Sequence, residues 1–175
     1  MRLPKASTTL GPTQEAVWAF WFTVGLQGFH QLEHTVQVFQ RFALHDHNGW
    51  GILGSWVAAE PLHFMYNLGF LVLVALCYWL GGFVRKATRP RPLVFWLMTF
   101  SVVFQTYHFA EHVVKLAQYI ETGKNGTPGI LGNYFNLVWL HFTYNAIEYV
   151  PLVLVFILGG FYTAKGRHTA QAQEV

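Results

Sequence analysis

His30-Gln31-Leu32-Glu33-His34 and His108-Phe109-Ala110-Glu111-His112 carry one His-x-x-Glu-His pattern twice, each time inside a long apolar segment. The offset is 78 residues, and His63 and His141 keep it. Sliding 15–83 onto 93–161 without a gap leaves 24 of 69 positions identical. Trp18 meets Trp96, Gln27 meets Gln105 and Gln40 meets Gln118. Gly51-Ile52-Leu53-Gly54 meets Gly129-Ile130-Leu131-Gly132, and Gly81-Gly82-Phe83 meets Gly159-Gly160-Phe161. An internal period decides architecture before any local reading does.

Composition says what is repeated. The chain is 53% hydrophobic, 18% aromatic and 11% charged, where soluble domains carry about 25% charged residues. Four apolar stretches stand out at 16–43, 59–83, 93–119 and 135–162. Each exceeds the roughly 20 residues that a helix needs to cross the hydrocarbon core. A soluble amphipathic bundle is the competing reading, but Leu68 to Leu80 and Pro151 to Leu158 show no polar stripe to face water. The expected fold is therefore all-α: an integral membrane four-helix bundle built from two tandem parallel helical-hairpin repeats. Two helices per copy bring both copies in from the same side, so the pseudo-two-fold axis runs along the membrane normal.

The expected organisation is an N-terminal tail (1–14), repeat 1 (15–83), a basic link (84–92), repeat 2 (93–161) and a C-terminal tail (162–175). Arg2 and Lys5, then Arg85, Lys86, Arg89 and Arg91, then Lys165 and Arg167, flank one side; Arg41, Lys115 and Lys124 are the basic residues near the other. The positive-inside rule puts both termini and the link in the cytoplasm and the loops 44–58 and 120–134 outside. The start resembles a signal peptide in having basic residues before an apolar run. No small-residue cleavage site follows, however, and helix 1 carries ligands matched in helix 3, so it is expected to be retained. A lone cysteine, Cys77, makes no intrachain disulfide and leaves the redox compartment unread. A pI near 9.1 calls for no nucleic-acid partner, since the basic residues sit on the flank where a membrane protein carries them. The expected partners are the lipid bilayer and other membrane subunits or further copies of the chain.

Ionisable residues inside membrane segments are costly and mark functional sites by default. Positions i, i+3 and i+4 share a helix face, so His30, Glu33 and His34 cluster, as do His108, Glu111 and His112. His63 and His141 enter near the outer ends of the second helices at a similar depth. Bundles build metal sites from inward side chains on facing helices. Six imidazoles and two carboxylates match a dinuclear centre towards the outer face, with His30, Glu33, His34, His63, His108, Glu111, His112 and His141 as ligands. Imidazole suits iron, copper, zinc and nickel alike. Carboxylates able to bridge two ions favour two iron ions, with copper or zinc as alternatives; an all-histidine set would favour copper. The plain alternative is a hydrogen-bonded polar network. Against it, the six histidines inside helices are duplicated, while His45, His47 and His168 in loops or tail are not.

Tyr66, Asn67, Tyr144 and Asn145 lie one turn below His63 and His141, where they would support bound rings or simply join helices. Glu148 stands opposite Phe70 and has no repeat partner; it is a candidate proton relay or a neutral, hydrogen-bonded carboxyl. Glu60 and the His45-Asp46-His47 loop lie at the outer mouth as a metal entry or a solvated loop. His-x-x-Glu-His alone is a zinc-peptidase signature, but doubled and intramembrane it loses that context. It also differs from the histidine boxes of membrane desaturases and hydroxylases. The expected function is a membrane-embedded dinuclear metal protein, as an enzyme an oxygen-dependent oxidoreductase on a lipid-soluble substrate. The alternatives are a b-type cytochrome, holding haem b between two histidines such as His34 and His112, and a non-enzymatic metal-binding accessory subunit.

Overall fold

The computed structural model describes residues 11–54, 59–84 and 90–163. The basic residues that carry the orientation, apart from Arg91, lie outside them. Among the described residues the chain is all-helical, with four helices: α1 (Gln14–Phe42), α2 (Glu60–Leu80), α3 (Pro92–Thr122) and α4 (Leu137–Leu158). Three of them, α2, α3 and α4, are long and apolar enough to cross a membrane. α1 is long enough at 29 residues, but Gln27, His30, Gln31, Glu33, His34 and Gln37 dilute its middle.

The helix ends follow the local chemistry. Thr13 caps α1 by accepting from Ala16 N at 3.3 Å. Asn136 caps α4, accepting from Val138 N and Trp139 N. Prolines open α2 and α3, where the missing N–H costs nothing. α2 and α4 stop alike: the N–H of Phe83 bonds Tyr78 O, that of Phe161 bonds Phe156 O, and both rings fold back into the core.

Each helix packs on two neighbours, in the cyclic order α1, α2, α3, α4; among the described residues the helix backbones do not approach across either diagonal. The interior has two halves. At one end Phe20, Cys77, Phe83, Val94, Met98, Leu152 and Phe161 make an apolar core, with Phe20 and Phe161 stacked 4.0 Å apart. At the other end, under the α1–α2 and α3–α4 loops, the buried side chains are Gln27, Glu33, His34, Glu60, Gln105, His108, Glu111, His112, Lys115 and Glu148.

Those loops fold back along α1 and α3. Gly51 N donates to Gln40 Oε1 at 2.7 Å and Gln40 Nε2 to Gly51 O at 3.2 Å. The same two bonds join Gln118 to Gly129, at 2.8 and 3.2 Å. Gly51 (φ 76°) and Gly129 (φ 68°) are left-handed, and a Cβ on either would collide with the carboxylate of Glu33 or Glu111. Gly51→Ala and Gly129→Ala should each cost about 1–3 kcal/mol, as strained φ plus overpacking does. Gly69→Ala, in open space within α2, should be neutral or slightly stabilising. Unfolding midpoints in detergent micelles check this; equal midpoints for all three variants would refute the clamp.

Candidate metal centre

All six intrahelical histidines meet in the polar half. Four rings form a circuit, one from each helix. His34 and His63 have centroids 6.2 Å apart, His63 and His112 6.0 Å, His112 and His141 5.6 Å, and His141 and His34 5.7 Å. One diagonal, His63 to His141, is 6.3 Å. His30 and His108 flank the circuit, each with Nε2 at 3.2 Å from Nε2 of the histidine one turn on, His34 or His112. A span of about 3.3 Å is also what two nitrogens on one tetrahedral ion subtend at bond lengths near 2.05 Å.

Acceptors fix the outer nitrogens of several rings. His34 Nδ1 meets Gln37 Oε1 at 2.8 Å, His108 Nδ1 meets Glu148 Oε1 at 2.7 Å, and His141 Nδ1 meets Leu137 O at 2.9 Å. A ring that donates Nδ1–H keeps its Nε2 lone pair free, which is how support partners prepare histidine for a cation. The two halves run these contacts in opposite senses. In the first, Gln37 holds His34 and leaves His30 at the end of the chain. In the second, Glu148 holds His108 and leaves His112, whose Nδ1 is buried without a partner.

The glutamates of the motif are placed differently. Glu33 accepts from Ile52 N at 2.8 Å and from Leu53 N at 3.3 Å. Glu111 accepts from Ile130 N at 2.9 Å and from Leu131 N at 3.3 Å. Both carboxylates therefore clamp the returning loops, although Glu111 Oε2 keeps no partner. The reason is angular. At about 100° per residue, Glu33 lies roughly 100° around the helix from His34, so the two face different neighbours.

The residues expected to support the rings serve another layer. Asn67 and Asn145 donate to the backbone carbonyls of His63 and His141 at 2.9 and 2.8 Å. Gln27 Nε2 donates to Asn145 Oδ1 at 2.8 Å and to Glu148 Oε2 at 3.3 Å, and Gln105 Nε2 to Asn67 O at 3.0 Å. Tyr66 stacks on His30 at 4.0 Å and donates to Gln27 Oε1 at 3.0 Å. Tyr144 meets Tyr107 through their hydroxyls at 3.1 Å. Glu148 is thus held by one histidine and one glutamine, in full burial.

Glu60 and Lys115 form a second buried centre. Their Nζ–Oε1 distance is 3.1 Å, with both side chains under 5% exposed. Glu60 also accepts from Gly126 N and Thr127 N, and Lys115 donates to Thr127 O. Sequence reading treated Lys115 as a flanking charge and Glu60 as part of the mouth. The available signal was that both break the repeat, at Gln37 and Val138. His45, Asp46 and His47 lie exposed in the first loop, where Arg41 Nη1 binds His47 O at 2.6 Å.

Among the described residues, no three histidine, cysteine or carboxylate side chains stand close enough to hold one ion without adjustment. The four central rings are 5.6–6.3 Å apart, against about 5 Å for imidazoles sharing a tetrahedral ion. Compared with known protein families, curated proteins and solved structures, the chain matches none.

Removing one partner of a buried ion pair typically costs about 3–5 kcal/mol. Lys115→Met should therefore be severely destabilising, and adding Glu60→Gln should recover most of the loss, since the amide oxygen still accepts from the loop. Denaturation of the two single variants and the double variant measures the coupling; additive losses would refute it.

Proposed function

We propose that this chain is a membrane-embedded metal-binding protein whose centre is built from histidine alone. The observation that carries the reading is the convergence of six histidines, drawn from all four helices, on one level of the bundle. The circuit draws its rings together by roughly half an ångström each on taking up a cation, a side-chain adjustment within the reach of χ angles. His30, His34, His63, His108, His112 and His141 are the proposed ligands, shared by two ions. Bridging carboxylates are the argument for iron, and it is weakened because Glu33 and Glu111 each accept from two backbone N–H groups of a returning loop. Six neutral imidazoles favour copper, and the cuprous ion brings the least uncompensated charge into a low-dielectric interior. When bound, such ions supply one-electron and dioxygen chemistry. The chain's own part is to orient the rings and, through Glu148 on His108, to hold a proton beside them. Haem has less support, because the four central rings leave no slot for a macrocycle between them.

The two hairpins are proposed as tandem copies spanning a bilayer. Matched bonds at the loop clamps, at Asn67 and Asn145 and at the helix ends support the repeat. Exposed aromatics support the span. Trp18, Trp21, Trp79, Trp96 and Tyr162 surround the apolar end, and Trp50, Tyr134, Phe135 and Trp139 the loop end, as in the two interfacial belts of membrane proteins. A large exposed apolar surface between them suits lipid. Basic flanks at the apolar end put both termini in the cytoplasm and the metal centre towards the outer face.

Elemental analysis of detergent-purified protein should find about two copper ions per chain, on the two-ion pattern of helical-bundle sites, with no Soret band. His34→Ala and His112→Ala should lose most of the metal, whereas Glu33→Gln and Glu111→Gln should keep it while weakening the loops. A metal-free, colourless protein whose histidine variants fold normally would overturn the reading; a Soret band would replace it with the cytochrome. For topology, in a Cys77→Ala background, His47→Cys should react with an impermeant thiol reagent on intact cells. Lys86→Cys should react only after permeabilisation.

A further inference from the structure

A cavity of about 230 Å³ lies between α1, α2 and the loop that joins them, bounded by His30, His63 and Tyr66, by Leu26, Phe29 and Leu62, and at its loop end by Glu33, Gln37 and Leu53. Phe29 and Leu62 are 46% and 45% exposed, so the flank of the cavity that faces outward between the two helices is apolar. A cavity of about 150 Å³ already holds a benzene ring; this one takes a ring with substituents. The flat wall for such a ring is the stacked pair His30 and Tyr66. The polar handle is His30, which lines the cavity and among the described residues bonds through Nε2 to His34 only, whereas Nδ1 of its counterpart His108 is taken by Glu148.

The second hairpin closes the same space. Leu26 and Phe29 correspond to Phe104 and Tyr107. There Phe104 packs edge-on against Tyr144 at 5.8 Å, and Tyr107 bonds the Tyr144 hydroxyl. Leu140, at the position of Leu62, is buried. Smaller side chains have left one half of a duplicated scaffold open, beside a histidine of the proposed centre.

We propose that this cavity binds a lipid-dissolved ring compound bearing a hydroxyl or carbonyl oxygen, a phenol- or quinone-type head, which enters sideways from the bilayer and hydrogen-bonds His30. The proposal names the substrate class of the metal centre and rests on that reading for its role, but the cavity binds independently of metal.

Wild-type protein in phosphatidylcholine nanodiscs is photolabelled with a diazirine-bearing 4-alkylphenol, and the labelled peptides are mapped. The expected result is labelling concentrated on α1 and the start of α2. Excess 4-octylphenol should displace it, and octylbenzene about tenfold less well, the worth of one hydrogen bond to a buried group. Labelling spread evenly over the four helices overturns the cavity, and equal displacement by octylbenzene overturns the role of His30. Leu26→Phe combined with Phe29→Tyr, which copies the closed half, should abolish the concentrated labelling with bound metal unchanged; persistent labelling counts against the site. If that variant fails to fold, the competition on wild type decides. Metal content of the same sample separates the two readings: focused labelling without metal removes the metal centre alone, and metal without focused labelling removes the cavity alone.

Discussion

A buried polar group must find a partner within the chain, and in this bundle the loops supply what the helices cannot. Glu33 and Glu111 would each be a charge stranded between helices. Instead each takes two backbone N–H groups from a loop that has doubled back along its helix. Everything in the polar half follows from that return. It lets α2 and α4 begin level with the His-x-x-Glu-His turns, and so brings His63 and His141 beside them. Gln40 and Gln118 hold the same loops a turn or two higher, and the left-handed glycines let the backbone pass so close.

The ion pair of Lys115 and Glu60 serves the second loop as Gln37 cannot serve the first. Lys115 reaches both the carboxylate and Thr127 O, while Glu60 collects Gly126 N and Thr127 N. One buried cation and one buried anion thereby organise a loop of different sequence over the same helical frame. A lysine so near rings proposed to bind cations is tolerable only because Glu60 answers its charge.

Much of this was legible in the sequence, for reasons that are physical. Apolar length located the four helices to within a few residues. The gapless offset brought the six histidines together, because equivalent residues on matched hairpins share a depth. What spacing could not give was direction around the helix. Glu33 follows His30 by three residues and looks like a fellow ligand, yet it stands a quarter-turn from His34 and faces the loop. Asn67 and Tyr66 were likewise at the right height, but their atoms go to Gln105 and Gln27. Identities at the offset of 78 located the histidine cluster, and a difference located Glu148; Glu60 and Lys115 also belong to one half only, but spacing alone did not show that they meet.

Apart from Glu60, which belongs to the first half, those differences share a direction. In the second half, Glu148 replaces Phe70, Lys115 replaces Gln37, and Phe104 and Tyr107 replace Leu26 and Phe29. That half carries two of those three one-sided charges and the bulkier side chains. The first half is neutral around His34 and open beside His30. A symmetric pair of hairpins needs neither feature in order to fold, since either pattern closes the bundle. Glu148 engages Nδ1 of His108, whereas His30 is hydrogen-bonded, among the described residues, to His34 alone and stands beside a cavity. The six helical histidines thus match between the two hairpins while the walls around them differ, so that one side of the cluster is held by a carboxyl and the other borders open space.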